Sequence, residues 1–196
     1  MPPKRPVSKK IQNYVKKTIQ RHQETNMRHL GNLTSGALGD GSGGAPGVNI
    51  LLSDITGGDQ QGQRQGNQIT VTSARFKGFM TLGDSQNIVR LIFYIPKNAS
   101  QVLSTSTRLT TPIDFDSITV LKDVLIHAND AGKYYATFNL FKRFNKGQRK
   151  GMTQIYSDGT FASVTKNPLY VYACSDSSVI PHPSLTYERL ITYKDA

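Results

Sequence analysis

The chain has 196 residues, 24 Lys and Arg against 13 Asp and Glu for a formal net charge of +11, and a hydrophobic share of 37%. That length suits one domain plus a tail and can bury a full core. One cysteine, Cys174, excludes an internal disulfide framework and a Cys-based zinc site, so packing alone must hold the fold. No apolar run reaches the roughly 18 residues of a membrane span. The basic N-terminus has no apolar segment after it, which argues against a secretory signal and, with the missing span, against a membrane partner.

The charge is uneven. Residues 1–30 hold Lys4, Arg5, Lys9, Lys10, Lys16, Lys17, Arg21 and Arg28 against one acid, Glu24, for a net +7. The rest of the chain carries only +4. Such an arm seeks a polyanion, because each phosphate it neutralises releases condensed counterions. Pro2, Pro3 and Pro6 keep its start extended. Ser8 is a good N-cap for a helix running to about Leu30, with Gly31 as its stop. Ile11, Tyr14, Val15, Thr18, Ile19 and His22 would form its apolar stripe, flanked by the lysines.

Residues 31–66 hold 11 of the 17 glycines and read as a flexible hinge running into a long loop. Within it, Val48–Leu52 is a candidate minor edge strand. From Gln68 onward the pattern is β throughout, with strands expected near 69–80, 87–95, 118–127, 133–141, 152–156, 161–164, 169–174 and 185–193. Gly83-Asp84-Ser85, Asn129-Asp130-Ala131-Gly132 and Ser157-Asp158-Gly159 supply turn chemistry between them. Only Gln101–Arg108 hints at a short helix. Eight short strands without interleaved helices argue for a closed barrel or a two-sheet sandwich. Val89–Ile95 and Leu169–Cys174 are apolar on both registers, which predicts a second sheet on one side and a subunit contact on the other.

A search for catalysis returns nothing. Gly39, Gly41 and Gly44 match a dinucleotide fingerprint by letters only, since a flexible arm precedes them and Pro46 follows. There is no phosphate loop, no nucleophile elbow and no histidine pair at metal spacing, so the chain reads as a non-enzyme. Binding is better supported. The arm can reach many phosphates without reading bases. Lys142, Arg143, Lys146, Arg149 and Lys150 form a second basic cluster that either meets the same polyanion or is a solvated loop.

Several segments resemble one family, the coat proteins of the satellite tobacco necrosis virus type. The stretch Val15–Glu24 is similar to that family's N-terminal helix, and Gln63–Ile69 to the loop entering its first long strand. Val89–Tyr94, Ile118–Val124 and Tyr187–Ala196 match in order and spacing. Similar strands occur in capsids of other small single-stranded RNA viruses and of small circular DNA viruses.

The resemblance implies an all-β fold, an eight-stranded jelly-roll sandwich with an N-terminal basic helical arm. The divisions expected are an arm over 1–30, a hinge and loop over 31–66 and a shell domain over 67–196. It implies a viral capsid protein whose copies close into a 60-subunit, T=1 icosahedral shell, the virion of a satellite virus, with arms packaging a single-stranded genome. Backbone neutralisation treats RNA and DNA alike; the resemblance favours RNA. It also implies calcium (Ca2+) between subunits, held by Glu24, the Gln65 carbonyl, the Gln68 side chain and Asp195. The loop departs from the family pattern, with Gln65 and Asn67 where a small hydroxyl and an acid are usual. The alternative is a basic-tailed β-sandwich binding module of lectin type, although the chain has no tryptophan for a sugar platform.

Overall fold

The computed structural model describes residues 8–12, 14, 25–41, 46–60, 62–132, 134–144, 151–158 and 163–195. Ten strands run through them: β1 (Thr25–Ala37), β2 (Val48–Leu51), β3 (Gln68–Thr81), β4 (Gln86–Pro96), β5 (Ile118–Asn129), β6 (Tyr135–Arg143), β7 (Met152–Tyr156), β8 (Val164–Lys166), β9 (Tyr170–Ser175) and β10 (Ser184–Asp195). All pairings between them are antiparallel. One sheet runs β1-β10-β3-β6, the other β2-β9-β4-β5. The chain passes between the sheets at β1, β2, β3 and β4, stays for β5, then crosses again to β6, β9 and β10. That order is a jelly roll's, two Greek keys wrapped into a sandwich. Strands β7 and β8 form an inserted hairpin that pairs with the first residues of β3, below the stretch that β6 covers.

The described residues hold ten strands where eight were expected after residue 67. Eight of the ten make the roll: β2 is the minor edge strand expected at Val48–Leu52, β1 lies in the stretch read as arm and hinge, and β7 and β8 are additions. Ser8 does cap a helical turn, accepting from Ile11 N at 3.4 Å, with Gln12 N donating to the Ser8 carbonyl at 3.1 Å. A helix through Leu30 is excluded, because Thr25 onward is strand, and Gly31 sits inside that strand rather than stopping a helix. The reason is a change of period. Asn26, Arg28 and Leu30 take the inward register while Thr25, Met27 and His29 face out, and Gly31-Asn32 disfavours helix. The long strand β10 would otherwise have an open edge. Asn32, at φ 55°, bulges β1 and interrupts the register between Leu30 and Leu33, which makes the new edge irregular.

Between the sheets lies the main core, including Phe76, Met80, Val89, Leu91, Phe93, Val171, Leu185 and Ile191. Phe76 stacks on Phe138 at 5.1 Å and leans on Tyr187 at 4.8 Å. Each such side chain contributes about 1.5–3 kcal/mol by leaving water.

The doubly apolar strands have a different explanation from the one expected. The outward register of β4 and β9 (Ile92, Tyr94, Tyr172 and Cys174) is covered by the chain's own segment 97–117, through Leu103, Leu109 and Ile113. That segment is turns and loop, not the short helix expected at Gln101–Arg108. Polar bonds fasten it. Arg90 grips Asp123 through Nε (3.0 Å) and Nη2 (2.7 Å), and its Nη1 donates to the carbonyls of Leu109 (2.8 Å) and Thr111 (2.9 Å). Tyr94 donates its hydroxyl proton to Asn49 Oδ1 (2.7 Å) and accepts from Leu103 N (3.0 Å), while Tyr172 donates to the Thr107 carbonyl (2.6 Å).

Candidate nucleic-acid interface

Of the expected arm residues, Lys9 and Lys10 lie in the helical turn after Ser8. Lys4, Arg5, Lys16, Lys17, Arg21 and Glu24 fall outside the described residues. Arg28 occupies the inward register of β1 opposite Ile191, not an outward helix face. It lies with Arg189 near Asp54, whose carboxyl burial pushes up while the two guanidinium groups pull it down. Arg189 Nη2 meets Asp54 at 2.7 Å.

The arm joins the sandwich at Thr25, opposite Lys194. Three of the four residues expected to hold calcium, Gln65, Gln68 and Asp195, lie at that corner, while Glu24 is outside the described residues. Asp195 accepts from Gln65 N (3.0 Å) and from Asn26 Nδ2 (2.6 Å), and Gln68 precedes Ile69, which pairs with Asp195. Among the described residues, no group of three or more His, Cys, Asp or Glu side chains could hold a metal ion. These residues alone do not fit calcium; further oxygens would have to come from Glu24 and a second copy.

Arg64, in the same loop, is fully buried. Its Nε donates to the Ile55 carbonyl (3.0 Å), its Nη groups reach the Gly66 and Asp158 carbonyls, and the guanidinium stacks 3.9 Å from the Tyr156 ring centre. This cation organises the loop rather than meeting a ligand.

Sequence reasoning missed the outward face of the sheet that the arm joins. Register places Arg75, Lys77 and Phe79 of β3 beside Phe141, Asn139 and Thr137 of β6, and beside Leu190, Glu188 and Thr186 of β10. Arg143 and Lys194 extend the face at the β6 and β10 ends. Lys142 of the second basic cluster takes the inward register opposite Ala74, and residues 145–150 lie outside the described set. Glu188 is the one acid on this face among the described residues. Lys77 Nζ meets it at 2.8 Å and His29 Nε2 at 3.6 Å, and the Lys77 hydrogen bond holds its carboxyl below the usual range. The signal was present as alternation in β3, but only pairing shows that β6 and β10 carry the matching residues. Cys174 is buried, which pushes its thiol up to about 11 and makes it a packing residue.

No protein-family model matches this sequence, and no curated protein does. Among solved structures, the chain is similar to that of Desmodium yellow mottle tymovirus, at 11% identity and a TM-score of 0.42, over 100% of this chain and 93% of that one. It is similar to the BFDV capsid protein of a 60-mer crystal structure at 8% identity and TM-score 0.32, over 88% and 91% of the two chains. A T13 viral particle of IBDV gives 10% identity and TM-score 0.20, over 88% of this chain and 39% of that one. Strand pairing, independently of these likenesses, defines the class: an all-β, two-sheet sandwich with jelly-roll order.

Proposed function

We propose that this chain is a viral capsid protein: copies of the sandwich close into a small T=1 shell of 60 subunits, and the basic arm packages a single-stranded genome inside the virion. One observation carries this reading. The net +6 of residues 1–24 leads into β1 at the edge of a sheet whose own outward face is basic, so arm and face can meet one polyanion together. Exposed apolar side chains add support for self-association: Val179 and Ile180 in the β9–β10 loop, and Tyr134 just before β6, are each more than 60% exposed. Sixty arms bring roughly 360 positive charges, enough to offset a substantial part of a genome on the order of a thousand nucleotides.

Electron microscopy of the purified protein tests the shell, with uniform closed particles expected; persistent monomers would favour a binding module instead. Removal of residues 1–24, which spares β1, should leave folded protein that forms shells holding far less nucleic acid than wild type. Normal packaging by that truncation would overturn the arm's role. Nuclease digestion of the extracted genome distinguishes RNA from DNA. We extend the reading to calcium between copies, at Glu24, Gln65, Gln68 and Asp195. Chelator should then loosen wild-type particles and leave Asp195→Ala particles unaffected, and wild-type particles indifferent to chelator would end it.

A further inference from the structure

The outward face of β3 and β6 offers more than charge. Cations and aromatics share it: Arg75, Lys77 and Phe79 on one strand, Tyr135, Phe141 and Arg143 on its neighbour. Phe79 and Phe141 are each 40% exposed and Tyr135 is 64% exposed. Phe79 and Tyr135 meet edge to face at 6.5 Å, and the Arg143 guanidinium lies 5.8 Å from the Phe141 ring centre. Beside Phe79 a cavity of about 480 Å³ opens to solvent, walled by Lys77, Glu188 and Asn139 and floored by Phe138 and Tyr187. Arg75 Nε donates to Asn139 Oδ1 at 2.9 Å, which leaves the Asn139 amide N–H groups to donate elsewhere.

We propose that this face binds single-stranded polynucleotide through its bases. Bases stack on Phe79 and Phe141, one base enters the cavity against Asn139, and the phosphates run along Arg75, Lys77 and Arg143. The proposal deepens the packaging reading, on which it rests, by adding a site that needs bases where the arm needs only phosphate. Charge decides the occupant. A face with four Lys or Arg side chains and one paired acid repels a second copy of itself and attracts a polyanion. Stacking decides the kind of polyanion, since aromatic platforms beside cations hold unpaired bases of any sequence. Phe79 and the Phe141 row, at Arg75, are four residues apart on β3, about 13 Å, a span that two extended nucleotides cover.

The test uses the full-length chain, comparing wild type with the double variant Phe79→Leu/Phe141→Leu, which keeps apolar volume and removes the rings. Binding to oligouridylate and to inorganic polyphosphate is titrated at low salt. The variant should bind oligouridylate about tenfold more weakly or worse and polyphosphate unchanged. Independently of any variant, 4-thiouridine RNA should photocrosslink to wild-type peptides containing residues 75–79 and 139–143. Unchanged oligouridylate affinity, equal loss on both polyanions, or crosslinks confined to residues 1–24 would overturn the site. Altered sedimentation with unchanged oligouridylate affinity would instead assign the face to a second copy and also overturn it. Failure of the capsid reading has a separate signature: no closed shells, with the face still binding RNA.

Discussion

The two outward faces of the sandwich contrast sharply although both belong to antiparallel sheets of the same roll. On the β2-β9-β4-β5 sheet, Ile92, Tyr94, Tyr172 and Cys174 point outward and are sealed by segment 97–117. On the β1-β10-β3-β6 sheet the outward residues are cationic, polar and aromatic, with a single acid and an open cavity. The covered face contributes to stability as a second, smaller core. The bare face leaves desolvation and charge unused within the chain, which is what a binding surface requires. One fold thus covers one side with its own chain and leaves the other open to solvent.

Breaking the cover should have the largest effect. Arg90→Ala removes the clamp on Asp123 and on the Leu109 and Thr111 carbonyls, and leaves the carboxylate beside an apolar loop. We expect a loss of about 3 kcal/mol in urea unfolding from these charge-assisted hydrogen bonds, together with new proteolytic cuts within 97–117 in the native protein. Stability within about 0.5 kcal/mol of wild type would show that apolar packing alone holds the segment.

A smaller loss is expected under the bare face. A Cβ at Gly78 would run into the Thr186 backbone oxygen and crowd the Phe138 ring, so β3 and β10 must separate to admit it. Gly78→Ala should cost about 2 kcal/mol and narrow the cavity, read as a fall in melting temperature and a weaker oligouridylate interaction. An unchanged melting temperature would mean that the strands yield without cost.

The mildest change sharpens the contrast rather than breaking it. Glu188→Gln frees Lys77 and should tighten polynucleotide binding, with the salt slope steeper by about one. The sign of the pH dependence follows from the lowered carboxyl. With Lys77 bonded to it and His29 beside it, Glu188 stays charged until the pH falls below its ordinary 4.5. The difference between wild type and Glu188→Gln should therefore persist at pH 5 and disappear only in stronger acid. Its disappearance at pH 5 would place the Glu188 carboxyl above, not below, its ordinary value.

Much of the roll was legible because alternation is a local signal. The strand near 152–156 was placed to the residue, and β3, β4, β5, β9 and β10 within a few positions. Strand β1 was not legible. Its outward and inward registers alternate only over six residues before Gly31 and Asn32 blur them, and its cations read equally well as a continued helix. The partner that makes it a strand is β10, about 150 residues or more away. Likewise, Val89–Ile95 announced burial on both sides, but not that the cover would come from residues 97–117. The basic arm could be read from a count of charges, whereas the basic face could not, because Arg75, Phe141 and Leu190 are adjacent only through register.

By itself, the sequence determined the all-β class, most strand positions and the concentration of charge in the first thirty residues, since period, turn chemistry and charge are properties of neighbouring residues. Tertiary structure alone decided which strands complete the roll, which outward face is sealed and which is bare. Those outcomes depend on hydrogen-bond partners and register between distant segments, and no local pattern encodes which of several compatible edges a strand will meet.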